Sequence, residues 1–146
     1  MHFEGTVEIA APREEVWAFV TDPTQVGGCG PGVESIELID PTHFKAKAKV
    51  GVGFISARFN SDGEIGIIAP GEAAEVKIHG QAPGSAADAV ASMHLSDGGE
   101  GVTIMAWKAD VNISGTLASV GARLIEGTAN KLIGQTFACV KAKLEA

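Results

Sequence analysis

The sequence lacks several residue types, and each absence excludes a class of protein. There is no tyrosine, and aromatic residues make up only 5 % of the chain, which excludes acid–base pairs that depend on a tyrosine hydroxyl. The formal net charge is −7, which argues against binding to nucleic-acid phosphates. Hydrophobic residues nevertheless make up 45 % of 146 residues. A chain of this size can bury its own core, so we expect a single globular domain over residues 1–146.

Long hydrophobic runs are also missing. No segment approaches the roughly 20 consecutive apolar residues that span a bilayer. The first ten residues, MHFEGTVEIA, carry neither a basic leader nor an apolar core, so they do not resemble a secretion signal. From these features we expect a cytoplasmic protein.

Residues suited to metal or covalent chemistry are few. Cys29 and Cys139 lie far apart and form no C-x-x-C pair, so their spacing predicts neither a disulfide framework nor a zinc site. The four histidines lack metal-ligand spacing, and no nucleotide-binding glycine motif is present. Asp62 and Glu64 share the polar side of a strand pattern, which favours a water-facing pair over an acid–base pair. We predict no metal site and no catalytic residue.

Cys29 raises one alternative, because it lies in the glycine-rich stretch DPTQVGGCGPGVES. A thiol on a flexible loop is a candidate nucleophile. Such a thiol needs a nearby base or a helix N-terminus to lower its pKa, and the local sequence offers neither. Cys139 lies in an apolar helical pattern and is expected to be a small buried residue.

The hydrophobic pattern predicts an α+β protein. Residues 3–9 alternate between apolar and polar, and six further segments between residues 33 and 113 have the same period, joined by turns of hairpin length. After the first strand, Pro12 and apolar residues at helical spacing predict a short helix that ends at Asp22-Pro23. From Leu117 onward, apolar residues recur every three or four positions, which predicts one long amphipathic helix.

These elements predict a helix-grip fold. The sheet must cover its apolar face, and the terminal helix carries the one large apolar stripe. We expect a curved seven-stranded antiparallel sheet wrapped around a long C-terminal helix, with short helices between strands 1 and 2. Several positions expected to face the helix are small, such as Ala74, Ala87 and Ala91. Protein interiors are densely packed, so small residues imply either a close helix, which Gly121 could allow, or a cavity. We predict a ligand-sized apolar cavity.

Four segments carry a resemblance to a known family: FEGTVEIAAPREEVWAFVTDP, CGPGVESIE, KAKVGVGFISARFNSDGEI and ADVNISGTLASVGARLIEGTANKLIGQTF. Together they cover most of the chain and resemble the carbon monoxide dehydrogenase G-subunit family of the START-like (SRPBCC, birch-pollen-allergen-like) superfamily. The C-x-P-G loop and the SGTLASVGARLI segment are its most specific parts.

The resemblance implies a non-catalytic accessory protein that binds an apolar ligand, a quinone or lipid, between sheet and helix. It implies work beside a molybdenum-containing carbon monoxide dehydrogenase and peripheral contact with the inner face of the membrane. Menaquinone and ubiquinone are the expected ligands, and no other cofactor is expected. The pocket mouth is carried over to Gly28, Cys29, Gly30, Pro31 and Gly32, with Cys29 as a small apolar residue.

We expect eight apolar residues to line the cavity. They are Phe54, Phe59, Met93, Met105, Trp107, Leu117, Val120 and Leu124. Two alternatives stay open at this point. An enzyme of the same superfamily, a cyclase or hydrolase, would need a polar group that points into the cavity. A docking protein without a ligand would have a cavity too small for one.

Overall fold

The computed structural model of the protein describes residues 1–145, and its helices and strands follow the predicted order. Two short 3₁₀ segments, Gly27–Cys29 and Thr116–Val120, supplement them. The elements are β1 (His2–Ile9), α1 (Arg13–Val20), α2 (Pro23–Val26), β2 (Val33–Leu38), β3 (His43–Val52), β4 (Ile55–Ala69), β5 (Ala73–Ala82), β6 (Ser85–Gly99), β7 (Val102–Gly115) and α3 (Ala122–Leu144).

The seven strands form one antiparallel sheet in the order β1-β7-β6-β5-β4-β3-β2. The predicted helix-grip architecture, a curved sheet around a long C-terminal helix, is confirmed. Strands β1 and β2 are consecutive in the chain but lie at opposite edges of the sheet. The segment between them, with α1 and α2, must therefore cross from one edge to the other, and it packs on β6, β7 and β2 on the way.

Local chemistry explains the two short helices of this crossing segment. Pro12 precedes α1 in an extended conformation, and the first turn holds Glu14 and Glu15, which are favourable at the positive end of a helix dipole. Asp22 then caps α2, because its carboxylate accepts a hydrogen bond from the Thr24 backbone N–H at 3.0 Å. Asp22 therefore separates the two helices, because its backbone is extended rather than helical.

Helix α3 begins later than predicted. We expected a continuous helix from Leu117, but residues Thr116–Val120 form a 3₁₀ segment and the α-helix starts at Ala122. The break lies at Gly121, whose φ of +102° is a conformation that residues with side chains rarely adopt. The last turn of the helix carries Lys141 and Lys143 as expected, where they complement the negative end of the dipole.

The buried hydrophobic residues form two separate clusters. The first consists of Ile9, Ala11, Val16, Phe19, Cys29, Leu95, Met105 and Val140. The second consists of Val52, Phe59, Leu117 and Ile125. Helix α3 contributes Ile125 to the second cluster and Val140 to the first, positions that a helical rise of 1.5 Å per residue separates by about 22 Å. The interior between these two points is not filled by either cluster.

The two cysteines form a disulfide, which corrects the prediction from their spacing. Cys29 and Cys139 are 110 residues apart in sequence, yet their Cα atoms lie 5.4 Å apart, within the usual range for a disulfide. The crossing segment brings Cys29 against α3, a juxtaposition that depends on the fold and leaves no trace in local spacing. The expectations that Cys29 is an unpaired apolar residue and that Cys139 is simply buried were wrong.

No helix among residues 1–145 combines the length and apolar character needed to span a bilayer.

Candidate functional site

A cavity of about 490 Å³ lies between the concave face of the sheet and the C-terminal half of α3. It has three walls. Strands β2 to β7 form the first, residues Leu132 to Val140 of α3 form the second, and the crossing segment around α2 forms the third. This volume is within the usual range for small-molecule sites, about 300–1,000 Å³.

The side chains at the centre of the sheet wall are small, so they leave space on the concave face. Val76 pairs with Ala91 and Ala91 pairs with Ala109 across three neighbouring strands, and all three residues line the cavity. The prediction that Ala74, Val76, Ile78 and Ala91 face the helix side is confirmed by their places on this wall. Two methyl groups at the centre of the sheet leave room that larger side chains would fill.

Phe44 on β3 bounds the cavity on the side of the sheet opposite β7. Its pairing partner on β4 is Gly63, and a Cβ atom at this glycine would overlap the Phe44 ring. The missing side chain leaves room for the end of the ring beside Gly63, where Phe44 is buried and lines the cavity.

A pair of aromatic residues bounds the cavity between sheet and helix. The ring of Trp107 on β7 lies 5.2 Å from that of Phe137 on α3, with planes tilted by 44°, a favourable geometry for aromatic contact. Gly5 pairs with Trp107, and a Cβ there would come within 3.2 Å of the indole. The indole therefore packs over the β1 backbone, next to the cavity.

The side chains that face the cavity are almost all hydrocarbon. Thr21 and Thr136 are the two exceptions from the helices, and their hydroxyls donate to the carbonyls of Trp17 and Leu132 at 2.6 and 2.8 Å. Three further polar residues border the cavity through the strands: Glu75, Ser92 and Lys108. They pair with one another in register, and strand alternation directs their side chains to the convex face.

The buried polar side chains of the wall are already hydrogen-bonded within the protein. Within residues 1–145, every buried side-chain nitrogen or oxygen has a hydrogen-bond partner. A ligand in this cavity would therefore be recognised by its shape and apolar surface rather than by hydrogen bonds to buried side chains.

The four histidines lie away from the cavity, and three of them, His2, His43 and His79, form exposed pairs with carboxylates. His2 contacts Asp110 at 2.8 Å and His79 contacts Asp88 at 2.6 Å. Over the described part of the chain, no group of three or more histidine, cysteine or acidic side chains is arranged to hold a metal ion. Asp62 and Glu64, predicted to face water, are exposed.

The hydrogen bond between His43 and Asp40 shifts both pKa values. His43 Nδ1 lies 2.9 Å from an Asp40 carboxylate oxygen. This bond, with that from the Thr42 backbone N–H, lowers the pKa of Asp40 to about 2. The same bond, helped by the negative charge of Asp40, raises the pKa of His43 above 6.5.

Of the eight residues predicted to line the cavity, the structure places Met93, Met105 and Trp107 on its wall. Phe59 and Leu117 instead belong to the second core cluster, and Val120 packs against that cluster. Sequence periodicity gave the inward side of each strand but not which end of the sheet lies beside the cavity.

Phe54 and Leu124 do not face the interior. Phe54 follows Gly53 at the tip of the β3–β4 hairpin and is 96 % exposed. A Cβ built on Gly53 would lie 3.7 Å from Leu124, which is itself 50 % exposed. Their assignment to the cavity is corrected for this reason: a hairpin tip points away from the sheet face, and Leu124 lies beside that tip.

The predicted mouth is displaced by a few residues. Gly27 borders the cavity, whereas Gly28, Cys29, Gly30, Pro31 and Gly32 do not. Cys29 is only 4 % exposed and belongs to the first core cluster. The glycine-rich turn therefore supports the cavity wall from behind, and Pro23 and Val26 of α2 face the cavity in its place.

The main lining residues that sequence analysis missed are Phe44 and the α3 residues Leu132, Ile133, Thr136, Phe137 and Val140. The sequence did contain a pattern that could have identified the helix residues. They recur in neighbouring positions every four residues, which places them on one continuous stripe of the helix. We assigned the cavity to the beginning of that stripe, and the structure places it at the end.

Fold and cavity together define a helix-grip domain with an apolar interior. Solved structures with the same fold include the following three. A conserved protein from Geobacillus kaustophilus has a TM-score of 0.91 at 23 % identity, covering 99 % of this chain and 95 % of its own. A START superfamily protein from Mycobacterium smegmatis has a TM-score of 0.75 at 14 % identity, with 99 % and 97 % covered. The Zhui aromatase/cyclase from Streptomyces sp. R1128 has a TM-score of 0.74 at 16 % identity, with 99 % and 93 % covered.

The sequence comparison gives a more specific assignment, to a protein family, than the shared fold does. The model of the carbon monoxide dehydrogenase G-subunit (CoxG) family matches residues 5–145, so this protein belongs to the CoxG family. No curated protein matches the sequence. The structural similarities, all below 25 % identity, establish the fold alone.

Proposed function

We propose that this protein holds the apolar part of a quinone or lipid in its cavity, as a non-catalytic accessory to a molybdenum-containing enzyme of the carbon monoxide dehydrogenase type. The observation that carries the proposal is the cavity of about 490 Å³ with hydrocarbon walls. Membership of the CoxG family supports the choice of partner enzyme.

The energetics suit a carrier. A ligand that buries about 400 Å² of apolar surface gains on the order of 10 kcal/mol before costs. Association costs of roughly 4–15 kcal/mol offset much of this gain. With costs near the lower end of this range, the net binding free energy is about 6 kcal/mol, which corresponds to a Kd of about 40 μM, tight enough to retain a water-insoluble molecule and weak enough to release it.

The composition of the wall supports binding over catalysis. General acid–base catalysis needs a titratable group within about 3 Å of the reacting atoms. The two polar side chains that the helices bring to this cavity are Thr21 and Thr136, and both hydroxyls are engaged by backbone carbonyls. The other polar residues that border the cavity are Glu75, Ser92 and Lys108, and strand alternation directs their side chains to the convex face.

The ligand is expected to insert its hydrocarbon part and leave its polar group near the opening. A polar head buried against these walls would lose its water without gaining a hydrogen bond, at a cost of about 1–3 kcal/mol or more. An isoprenoid tail or an acyl chain has no such cost. Quinones and lipids both meet this requirement.

The test uses the two tryptophans as matched reporters. Trp107 lines the cavity, whereas Trp17 packs against the first core cluster. A Trp17→Phe variant keeps only the cavity reporter, and a Trp107→Phe variant keeps only the control. Each is titrated with a short-chain menaquinone, and quenching of the indole fluorescence is followed.

We expect saturable quenching of the Trp17→Phe variant with a Kd of about tens of micromolar, and little quenching of the Trp107→Phe variant. Equal quenching of both, or of neither, would refute binding of this quinone in the cavity. If palmitate changes the Trp107 fluorescence saturably while menaquinone does not, the ligand is a lipid rather than a quinone. Organic extraction of gently purified protein followed by mass spectrometry checks the natural occupant.

A further inference from the structure

The disulfide joins two walls of the cavity. On one side, Cys29 ends the 3₁₀ segment that begins at Gly27, a residue of the α2 wall. On the other side, Cys139 lies on α3 next to Val140, a residue of the helix wall. The covalent bond therefore sets how far these two walls can separate.

Few other specific interactions hold these walls together. In the part of the chain that the structure describes, no hydrogen bond or ion pair connects residues 21–32 with α3. Contact between them is made by apolar packing in the first core cluster, where Val26, Phe137 and Leu144 surround the buried residues. Without the disulfide, the α2 wall would be held mainly by its own links to the sheet, such as the hydrogen bond from the Lys49 N–H to the Gly32 carbonyl.

The two cysteines differ in exposure. Cys29 is 4 % exposed, whereas Cys139, which packs against the first core cluster, is half-buried. Thiol–disulfide exchange depends on which sulfur an attacking thiolate can reach. The geometry therefore directs an attacking thiolate to the Cys139 sulfur and makes the Cys29 sulfur the leaving group.

We propose that the Cys29–Cys139 disulfide is a redox control of ligand exchange: the oxidised protein retains its apolar ligand, and the reduced protein exchanges it. This inference rests on the proposed function, because it concerns the same cavity. When the bond is broken, the α2 wall and α3 are free to separate and the cavity opens more often.

The reaction is a two-electron exchange with a dithiol of the thioredoxin or dithiothreitol class. A thiolate of the dithiol attacks the Cys139 sulfur, the bond between the two cysteine sulfurs breaks, and Cys29 leaves as a thiolate that takes up a proton. The second thiolate of the reductant then attacks the mixed disulfide and releases Cys139, which is also protonated. The reductant departs as its own disulfide, and the protein has gained two electrons and two protons.

The experiment measures release of a probe that does not depend on the identity of the natural ligand. The full chain is loaded with Nile red and mixed with phosphatidylcholine vesicles, which accept the released dye. Release is timed for the oxidised protein and for the protein reduced with dithiothreitol. The Cys29→Ala/Cys139→Ala variant is the matched control, since it lacks the bond under both conditions. Alkylation and mass measurement count free thiols, and circular dichroism checks the fold.

We expect reduction to speed release on the order of tenfold, as the open arrangement becomes more populated. The double variant should release Nile red quickly, and dithiothreitol should not change its release rate. If that variant does not fold, the comparison of oxidised and reduced wild type decides the question. Three results would each overturn the redox inference without overturning cavity binding. They are equal release rates in the two states, two free thiols in protein kept in an oxidising glutathione buffer, and unfolding of the reduced protein. Failure of Nile red to bind in either state would overturn cavity binding itself.

Discussion

Filling the cavity from its centre should separate ligand binding from stability. Ala91 lies between Val76 and Ala109 in the middle of the sheet wall. In the Ala91→Phe variant, a ring would project into the cavity, where no side chain is now packed. Most large substitutions in a protein core destabilise by overpacking, but here the space for the ring exists.

The expected magnitudes follow from the areas involved. A ring that denies a ligand roughly 100 Å² of apolar contact weakens binding by about 2.5 kcal/mol, which is about 70-fold in Kd. The same ring is removed from water in the ligand-free protein, which stabilises it by about 1–2 kcal/mol. For a domain of this size, the Tm should rise by roughly 2–8 °C.

The assay pairs calorimetric Tm measurement with menaquinone titration of the Trp107 signal. Ala106→Phe is the matched control, because Ala106 is exposed on β7 and its ring would lie on the convex face, so the affinity for menaquinone should not change. The opposite signs of the two effects distinguish a filled cavity from a damaged fold. A lower Tm in Ala91→Phe would show that the space at Ala91 cannot take the ring, and an unchanged Kd would show that this space is not the ligand site.

Two further predictions concern packing and pH. Gly63→Ala should lower the free energy of unfolding by about 1–3 kcal/mol, because the new methyl group would overlap the Phe44 ring. A urea midpoint equal to that of the wild type would contradict this. Protonated His43 bonded to ionised Asp40 favours the folded state. This contribution is present between about pH 4 and 6.5; it is lost as the pH rises through the raised pKa of His43 and as it falls through the Asp40 pKa of about 2. In an NMR titration, Asp40→Asn should return the His43 pKa toward 6.5, and an unchanged value would refute the pairing.

Local patterns in the sequence were enough to predict the elements of this fold. Alternation along a strand and spacing along a helix arise from the geometry of each element alone, so the strands, the hairpin turns and the amphipathic α3 could be recognised without knowing their neighbours. The small residues at positions such as Ala74 and Ala91 likewise predicted open space on the concave face. Small side chains cannot fill a curved sheet by themselves.

Other features depend on contacts between distant parts of the chain. Trp107 lies over Gly5 because β1 pairs with β7, and the cysteines meet across 110 residues because the crossing segment spans the sheet. Periodicity also could not tell that the break at Gly121 moves the start of α3, or that the hairpin turns Phe54 outward.

The placement of α3 on the sheet decides the role of each end of its apolar stripe. One end faces packed core, and the other end faces the cavity. Residues near Ile125 meet Val52, Phe59 and Leu117, whereas Leu132 and Ile133 meet open space. The side chains of the stripe are chemically alike, so the chain pattern specifies that the stripe is buried. The position of each residue relative to the sheet then separates those that fill the core from those that surround a ligand.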